Sequence, residues 1–334
     1  MRAVAFLLVS ASASVVSSQV ECVLDRANLH AAFGRVAENH GCRGADGVTI
    51  GQFRDRLEEE LDFLEASVRR RVYVPYPLLR IEVPKRSGGV RSLAVPTVRD
   101  RVLQTAVDQI VRPIFEAEFE TSSYAFRKGR SVDDAIRRVA ELRDLGFRFV
   151  VDADVDACFD SIAHDLLLAR LARLGLAPQI RRFFEQWVRA EIWDGSRLYD
   201  LEIGIPQGST VSPLLANLFL DSLDERLAVA GQQAVRYADD LVVLCKEPSA
   251  AESALELTER ILADLALVLD AEKTRVTSFD TGFRFLGATF LRDGIYRPWE
   301  TAQREPSNVI LPPPLDLATY LALRAEGTGW RFSI

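Results

Sequence analysis

Cysteine is scarce in this 334-residue chain, and long apolar runs are missing from most of it. The four cysteines, Cys22, Cys42, Cys158 and Cys245, are scattered, with no CxxC pair and no close histidine partner. That pattern suggests neither a zinc site nor a disulfide scaffold. Cys158 and Cys245 lie in apolar stretches and read as small core residues. Beyond the N-terminus no segment is long and apolar enough to span a bilayer. Internal repeats and low-complexity tracts are absent too. Positive charge is not in excess: the net charge is −7, which argues against a generic polyanion binder, because phosphate contacts need Lys and Arg.

What is present is a globular composition, 48% apolar and 27% charged, long enough for one large domain or two lobes. The charge is uneven. From Arg69 to Arg130 there are thirteen Lys/Arg against six Asp/Glu, a net +7, so the remainder is strongly acidic. A basic lobe on an acidic body suits an enzyme that grips a polyanionic polymer, or simply an Arg-rich solvated face. At the N-terminus, Arg2, a short apolar run and a Ser/Ala-rich stretch to Gln19 resemble a weak secretory signal. A chance extension is the preferred reading, because the rest of the chain calls for intracellular substrates. The expected location is the cytoplasm, with no membrane contact.

Periodicity predicts helices across Val23–Val68, broken at Gly41 and Gly44, with Thr49 or Gln52 opening the second. A hairpin follows, Leu78–Val83 and Val90–Val95, around the basic, Gly-rich tip Lys85-Arg86-Ser87-Gly88-Gly89. Helices are expected over Asp100–Phe119, from a Ser131 cap to Leu145, over Ile162–Ala190, from a Ser212 cap and Pro213 to Leu227, over Ala250–Leu269 and near Leu315–Ala325. Phe147–Val155 reads as a central strand covered on both faces, and Ala234–Cys245 as a hairpin with Ala238-Asp239 near its tip. Phe283–Phe290 reads as a last strand pair or turn.

Three blocks carry chemistry. Asp239-Asp240 ends Tyr237-Ala238-Asp239-Asp240. Adjacent carboxylates repel, and proteins hold them together mainly around a divalent cation. Asp152, Asp154, Asp156 and Asp160 lie about eighty residues upstream, the first three on one strand face by alternation. An acid from that strand would complete an oxygen-lined site suited to Mg²⁺. Two such ions, roughly 3.5–4 Å apart, clamp the attacking and leaving oxygens of phosphoryl displacement. The third block, Gly204-Ile205-Pro206-Gln207-Gly208 before Ser212-Pro213-Leu214-Leu215-Ala216-Asn217, has glycines that let backbone approach a substrate closely, which a plain loop also explains.

In this combination and order the blocks resemble a reverse transcriptase of the group II intron-like bacterial lineage, over about Ala27 to Phe290. The resemblance selects Asp154, with Asp239 and Asp240, as the catalytic and metal-binding acids for two Mg²⁺ ions, Mn²⁺ being the alternative. It implies that Phe159 closes beneath the sugar of the incoming dNTP and that Gln207 meets nucleotide or template. Gly208 would line the nucleic-acid path, Lys85 and Arg91 would hold the triphosphate, and Lys273 would protonate the leaving pyrophosphate. Arg127, Lys128 and Arg130, with Arg86, Arg99 and Arg101, would line the template path. Phe285-Leu286-Gly287 matches a primer-gripping turn. The implied fold is α+β, a right-hand polymerase with an antiparallel palm sheet and largely helical fingers. Expected divisions are an extension (1–22), fingers (23–145), palm (146–290) and a linker or rudimentary thumb (291–334), so the thumb is short or absent. The implied function is RNA-directed DNA polymerisation on an RNA template from a DNA or RNA primer. CRISPR adaptation or other defence proteins are candidate partners. The alternatives are a non-catalytic scaffold subunit of a defence complex and a truncated intron maturase.

Overall fold

The computed structural model describes residues 13–84, 89–297 and 311–327. The apolar run of the N-terminal extension and the hairpin tip with Lys85 and Arg86 lie outside them. Four helices come first, α1 (Ala13–Leu24), α2 (Arg26–Glu38), α3 (Ile50–Asp55) and α4 (Leu57–Arg69). Their starts are chemically specified: Asp25 accepts from Asn28 N at the head of α2, and Thr49 and Gln52 form a reciprocal capping box on α3. The hairpin β1 (Leu78–Pro84) and β2 (Val90–Val95) leads into the long α5 (Val98–Glu118), capped by Thr97. Next come α6 (Val132–Asp144), with a Ser131–Asp134 capping box, and the central strand β3 (Phe149–Asp154).

The chain continues through α7 (Cys158–Ser161), α8 (His164–Leu171), α9 (Pro178–Val188), β4 (Ile192–Trp193), β5 (Leu198–Tyr199) and α10 (Ser212–Val229). Ser212 is not the cap of α10. Val211 takes that position, and the Ser212 hydroxyl donates instead to the Pro206 carbonyl at 2.7 Å, tying the helix to the Gly-rich loop. The hairpin β6 (Gln233–Tyr237) and β7 (Asp240–Cys245) follows, then α11 (Pro248–Asp264), β8 (Arg275–Ser278), β9 (Phe283–Phe285), β10 (Ala288–Leu291), β11 (Gly294–Tyr296) and α12 (Leu317–Gly327).

The palm sheet has the order β6-β7-β3-β8, antiparallel throughout. Period-two alternation splits its residues between two cores. Val151, Ala153, Leu241 and Val243 join the main core, which also holds residues of α10 and α11. Val150, Val235, Val242 and Leu244 join a second core with α6 and the β9–β11 sheet, where Phe283 and Phe290 stack at 5.0 Å. Covered on both faces, β3 has apolar residues in succession, as its sequence required. The fold is α+β.

Residues 192–199 carry no predicted element, and here β4 pairs in parallel with β1 (Leu78 opposite Ile192), extending the hairpin sheet to β2-β1-β4-β5. The C-terminal segment lies along this sheet. Pro312, Pro313 and Leu315 carbonyls accept from Arg43, Trp193 and Tyr76, Leu315 N donates to Ala45 O, and the Tyr320 hydroxyl donates to Glu191. No described helix is long and apolar enough to cross a membrane.

Candidate active site

The strand register builds the site. Asp154, the last residue of β3, lies directly opposite Asp240, the first of β7. Tyr237 pairs with Asp240, so Ala238 and Asp239 form a two-residue turn, with Ala238 at φ +59°. A left-handed alanine costs about 1–2 kcal/mol, so the surroundings must hold it there. Asp152, opposite Val242, is engaged by a 3.0 Å ion pair with Arg275. Asp156 is exposed beyond the strand, its N–H donating to Val268.

The acids press on one another. Burial raises the Asp239 carboxyl, and the Asp154 charge adds to the shift, while Arg91 and Lys273 oppose it. Asp240 is pushed up to about 6 by desolvation first, then by Asp239, Asp154 and Asp152. Lys273, beyond α11, donates to Asp154 Oδ2 at 2.6 Å and to Asp270 Oδ2 at 2.9 Å, and these bonds raise its pKa. In this arrangement no three acidic, histidine or cysteine side chains among the described residues stand at metal-ligand spacing. The donor chemistry nonetheless fits a divalent cation: hard carboxylate oxygens gathered with more negative charge than Lys273 offsets.

The Gly-rich loop closes one side. Gly204 sits at φ +87°, its N–H donating to Ile162 O at 2.9 Å, and Ile205 N donates to Phe159 O at 2.7 Å. His164 Nε2 carries its proton toward Gly204 O at 2.6 Å. Burial lowers the His164 pKa and so favours the neutral ring, while the carbonyl acceptor sets its tautomer. The loop thereby fixes α7, whose half-buried Phe159 packs against the main core. Gln207 donates to Asp160 Oδ1 at 3.1 Å, and its carbonyl accepts from Ala94 N of β2 at 2.7 Å. Gly208, at φ +110°, lies against the same strand. Arg91 is exposed on β2, and its charge reaches Asp239. Lys85, its expected companion, falls outside the described residues.

Residues 83–290 match the family model of reverse transcriptase (RNA-dependent DNA polymerase). The chain belongs to this family. It is 31% identical over 288 residues to Protein YkfC of Escherichia coli strain K12, covering 75% of this chain and 76% of that protein. It is 33% identical to the group II intron-encoded protein LtrA of Lactococcus lactis, over 50% of this chain but 28% of that one, so it spans little more than a quarter of that relative. Among solved structures, the apo telomerase of Candida tropicalis superposes with a TM-score of 0.55 at 12% identity, over 67% of this chain and 49% of that one; this shows the fold alone. The reverse transcriptase is thus an enzyme of the nucleotidyltransferase class, in a family that uses divalent metal ions.

In this reverse transcriptase several of the basic residues expected on a template path are engaged inside the protein. Arg127, its side chain 7% exposed, pairs with Glu116 at 2.8 Å and donates to the Glu120 and Ser123 carbonyls. Arg130 donates to the Thr121 and Ser123 carbonyls at 2.7 Å each, and lies over the Tyr124 ring. Arg99 pairs with Glu60 and covers Phe63, while buried Arg101 donates to Cys42 O. Lys128 is exposed. A charge count cannot separate an arginine that ties carbonyls together from one that faces solvent. Phe285 is buried in the second core, and Leu286 and Gly287 turn at positive φ.

The residue that sequence reasoning passed over is Arg236, just ahead of the acidic turn and 1% exposed. It lies between Asp224 and Asn217 of α10, with Asp221 on the same helix accepting from Glu120 N. A signal existed: Asn217, Asp221 and Asp224 fall at helical spacing on a helix otherwise apolar enough for the core.

Proposed function

We propose that this reverse transcriptase adds dNTPs to the 3′-hydroxyl of a DNA or RNA primer on an RNA template. The observation that carries the reading is the register of Asp154 opposite Asp240, which gathers Asp154, Asp239 and Asp240 at one end of the palm sheet. Asp154 and Asp239 would hold two Mg²⁺ ions, or Mn²⁺, with Asp240 beside them. Such ions, when bound, activate the primer hydroxyl and neutralise charge on the leaving pyrophosphate.

The chain's own residues do the rest. Arg91, with Lys85 on the same hairpin, binds the triphosphate and balances its developing charge. Phe159 packs beneath the sugar and disfavours a 2′-hydroxyl. Gln207 orients nucleotide or template, and Gly208 leaves room for close backbone approach. Lys273 Nζ, a hydrogen bond away from Asp154, carries the proton that a leaving pyrophosphate oxygen takes. Lys128, with Arg127 and Arg130 shaping its loop, contacts template phosphate. The division into fingers (23–145), palm (146–290) and linker (291–334) goes with this reading, with β4 and β5 joining the fingers sheet. Proteins of a defence complex, CRISPR adaptation included, are the further partners proposed on grounds of lineage, and the cytoplasm is the proposed location.

The test is primer extension on an RNA template with Mg²⁺. Wild-type protein should incorporate dNTPs, and folded Asp239→Asn protein should not. Extension retained in that variant would refute the assignment.

A further inference from the structure

Arg236 is the largest fully buried side chain among the described residues. A buried guanidinium demands a partner for each of its five N–H groups, and here each has one. Nε donates to Asp224 Oδ1 at 2.9 Å. One terminal nitrogen donates to Asn217 Oδ1 at 3.1 Å and to the Ala238 carbonyl at 2.9 Å. The other donates to Ser123 Oγ at 2.9 Å and to Asp224 Oδ2. Asp224 neutralises the charge, and the N–H groups it leaves are satisfied by Asn217, Ala238 and Ser123; two of those partners tie the guanidinium to the acidic turn and to the loop before α6.

Ala238 is the left-handed residue of the catalytic turn, and its carbonyl belongs to the peptide unit that leads into Asp239. Arg236 holds the oxygen of that unit. The nitrogen of the same unit is that of Asp239, so a fixed oxygen fixes the backbone from which the acid projects. One peptide plane, fixed at its oxygen, therefore aims the acid. On its other side Arg236 holds the loop that precedes α6. Its N–H donates to Ser122 O at 2.8 Å, its carbonyl accepts from Tyr124 N at 2.9 Å, and its side chain reaches the Ser123 hydroxyl. The Ser123 carbonyl in turn receives Arg127 and Arg130.

We propose that Arg236 is a positioning residue for nucleotidyl transfer: it clamps the Ala238–Asp239 peptide, sets the Asp239 carboxylate, and ties that setting to the Ser122–Arg130 loop beside the template path. This rests on the polymerase reading of the site. Geometry of this kind acts on the rate of the chemical step more than on substrate affinity, since a misplacement of about 1 Å in a reacting group costs on the order of 100-fold.

The decisive comparison is the double variant Asp224→Leu/Arg236→Met, which removes the buried charge pair as a unit and keeps apolar volume. Arg236→Lys is the second variant, keeping a cation for Asp224 but losing the forked donors. Folding is verified by circular dichroism and thermal melting. Single-turnover dNTP incorporation then gives maximal rate and KM separately, and Mn²⁺ titration followed by electron paramagnetic resonance reports the acid site without turnover. The expected result in folded protein is a rate lower by about 100-fold, a dNTP KM within about threefold, and weakened Mn²⁺ binding. A folded double variant with wild-type rate and Mn²⁺ affinity would overturn the proposal. So would loss of folding in both variants, which would make Arg236 a structural brace alone. Absence of extension by the wild-type protein would instead sink the polymerase reading.

Discussion

Gly204→Ala tests whether the Gly-rich loop is shaped by contact with the α7 segment. At φ +87° an L side chain is strained by about 1–3 kcal/mol whatever surrounds it. A Cβ at Gly204 would also stand 2.8 Å from Asp160 O and 2.9 Å from Asp160 C and Cα. These are backbone atoms, which cannot swing aside as a side chain could. Overpacking of this kind adds about 1–3 kcal/mol. Gly208→Ala is the internal comparison. It carries the same class of strain at φ +110°, but its nearest neighbours, Ala94 O at 3.4 Å and Leu93 Cβ at 3.6 Å, are ordinary contacts. Gly204→Ala should therefore be the less stable of the two by about 1–3 kcal/mol in urea unfolding. Because Ile205 N is bonded to Phe159 O, the same change should also raise the dNTP KM. Equal stability of the two variants would refute the steric argument.

Phe159→Ala should relax discrimination against rNTPs, read as the ratio of kcat/KM for dNTP and rNTP; an unchanged ratio removes its proposed role. Asp240 has a folded pKa of about 6 against an ordinary 3.8, so the folded state holds its proton more tightly than the unfolded chain does. Its stabilising contribution is complete below pH ~4 and is lost as pH rises through about 6. Asp240→Asn should accordingly stabilise the protein at pH 7.5 without divalent ions by about 1 kcal/mol at most for a solvent-accessible group, read as a higher melting temperature, with no gain near pH 4. A gain that does not change with pH would contradict the charge crowding. Arg127→Met should destabilise by about 2–4 kcal/mol, because it strands Glu116 and two carbonyls. Lys128→Ala should leave stability within about 0.5 kcal/mol and weaken RNA binding with a salt slope lower by about one. Equal stability losses in the two would show that burial does not separate their roles.

Much of this molecule was written locally. The apolar run of β3, the caps at Thr49 and Ser131, the two hairpins and the order of the three motif blocks are consequences of neighbouring residues, and each is legible from the chain alone. What the chain could not decide is which long-range partners meet. Strand alternation leaves Asp152, Asp154 and Asp156 equivalent, and the sequence resemblance alone chose among them. In the fold, Arg275 engages Asp152, Asp156 lies beyond the strand, and the register sets Asp154 opposite Asp240. The charge of Arg127 reads as a template contact until its carbonyl partners are seen, and Arg236 reads as a strand residue until α10 is packed beneath it. Local propensity acts over a turn or a pleat. Register joins separate strands, and the burial of a charge depends on how other helices and loops pack over it, so only tertiary structure could decide them.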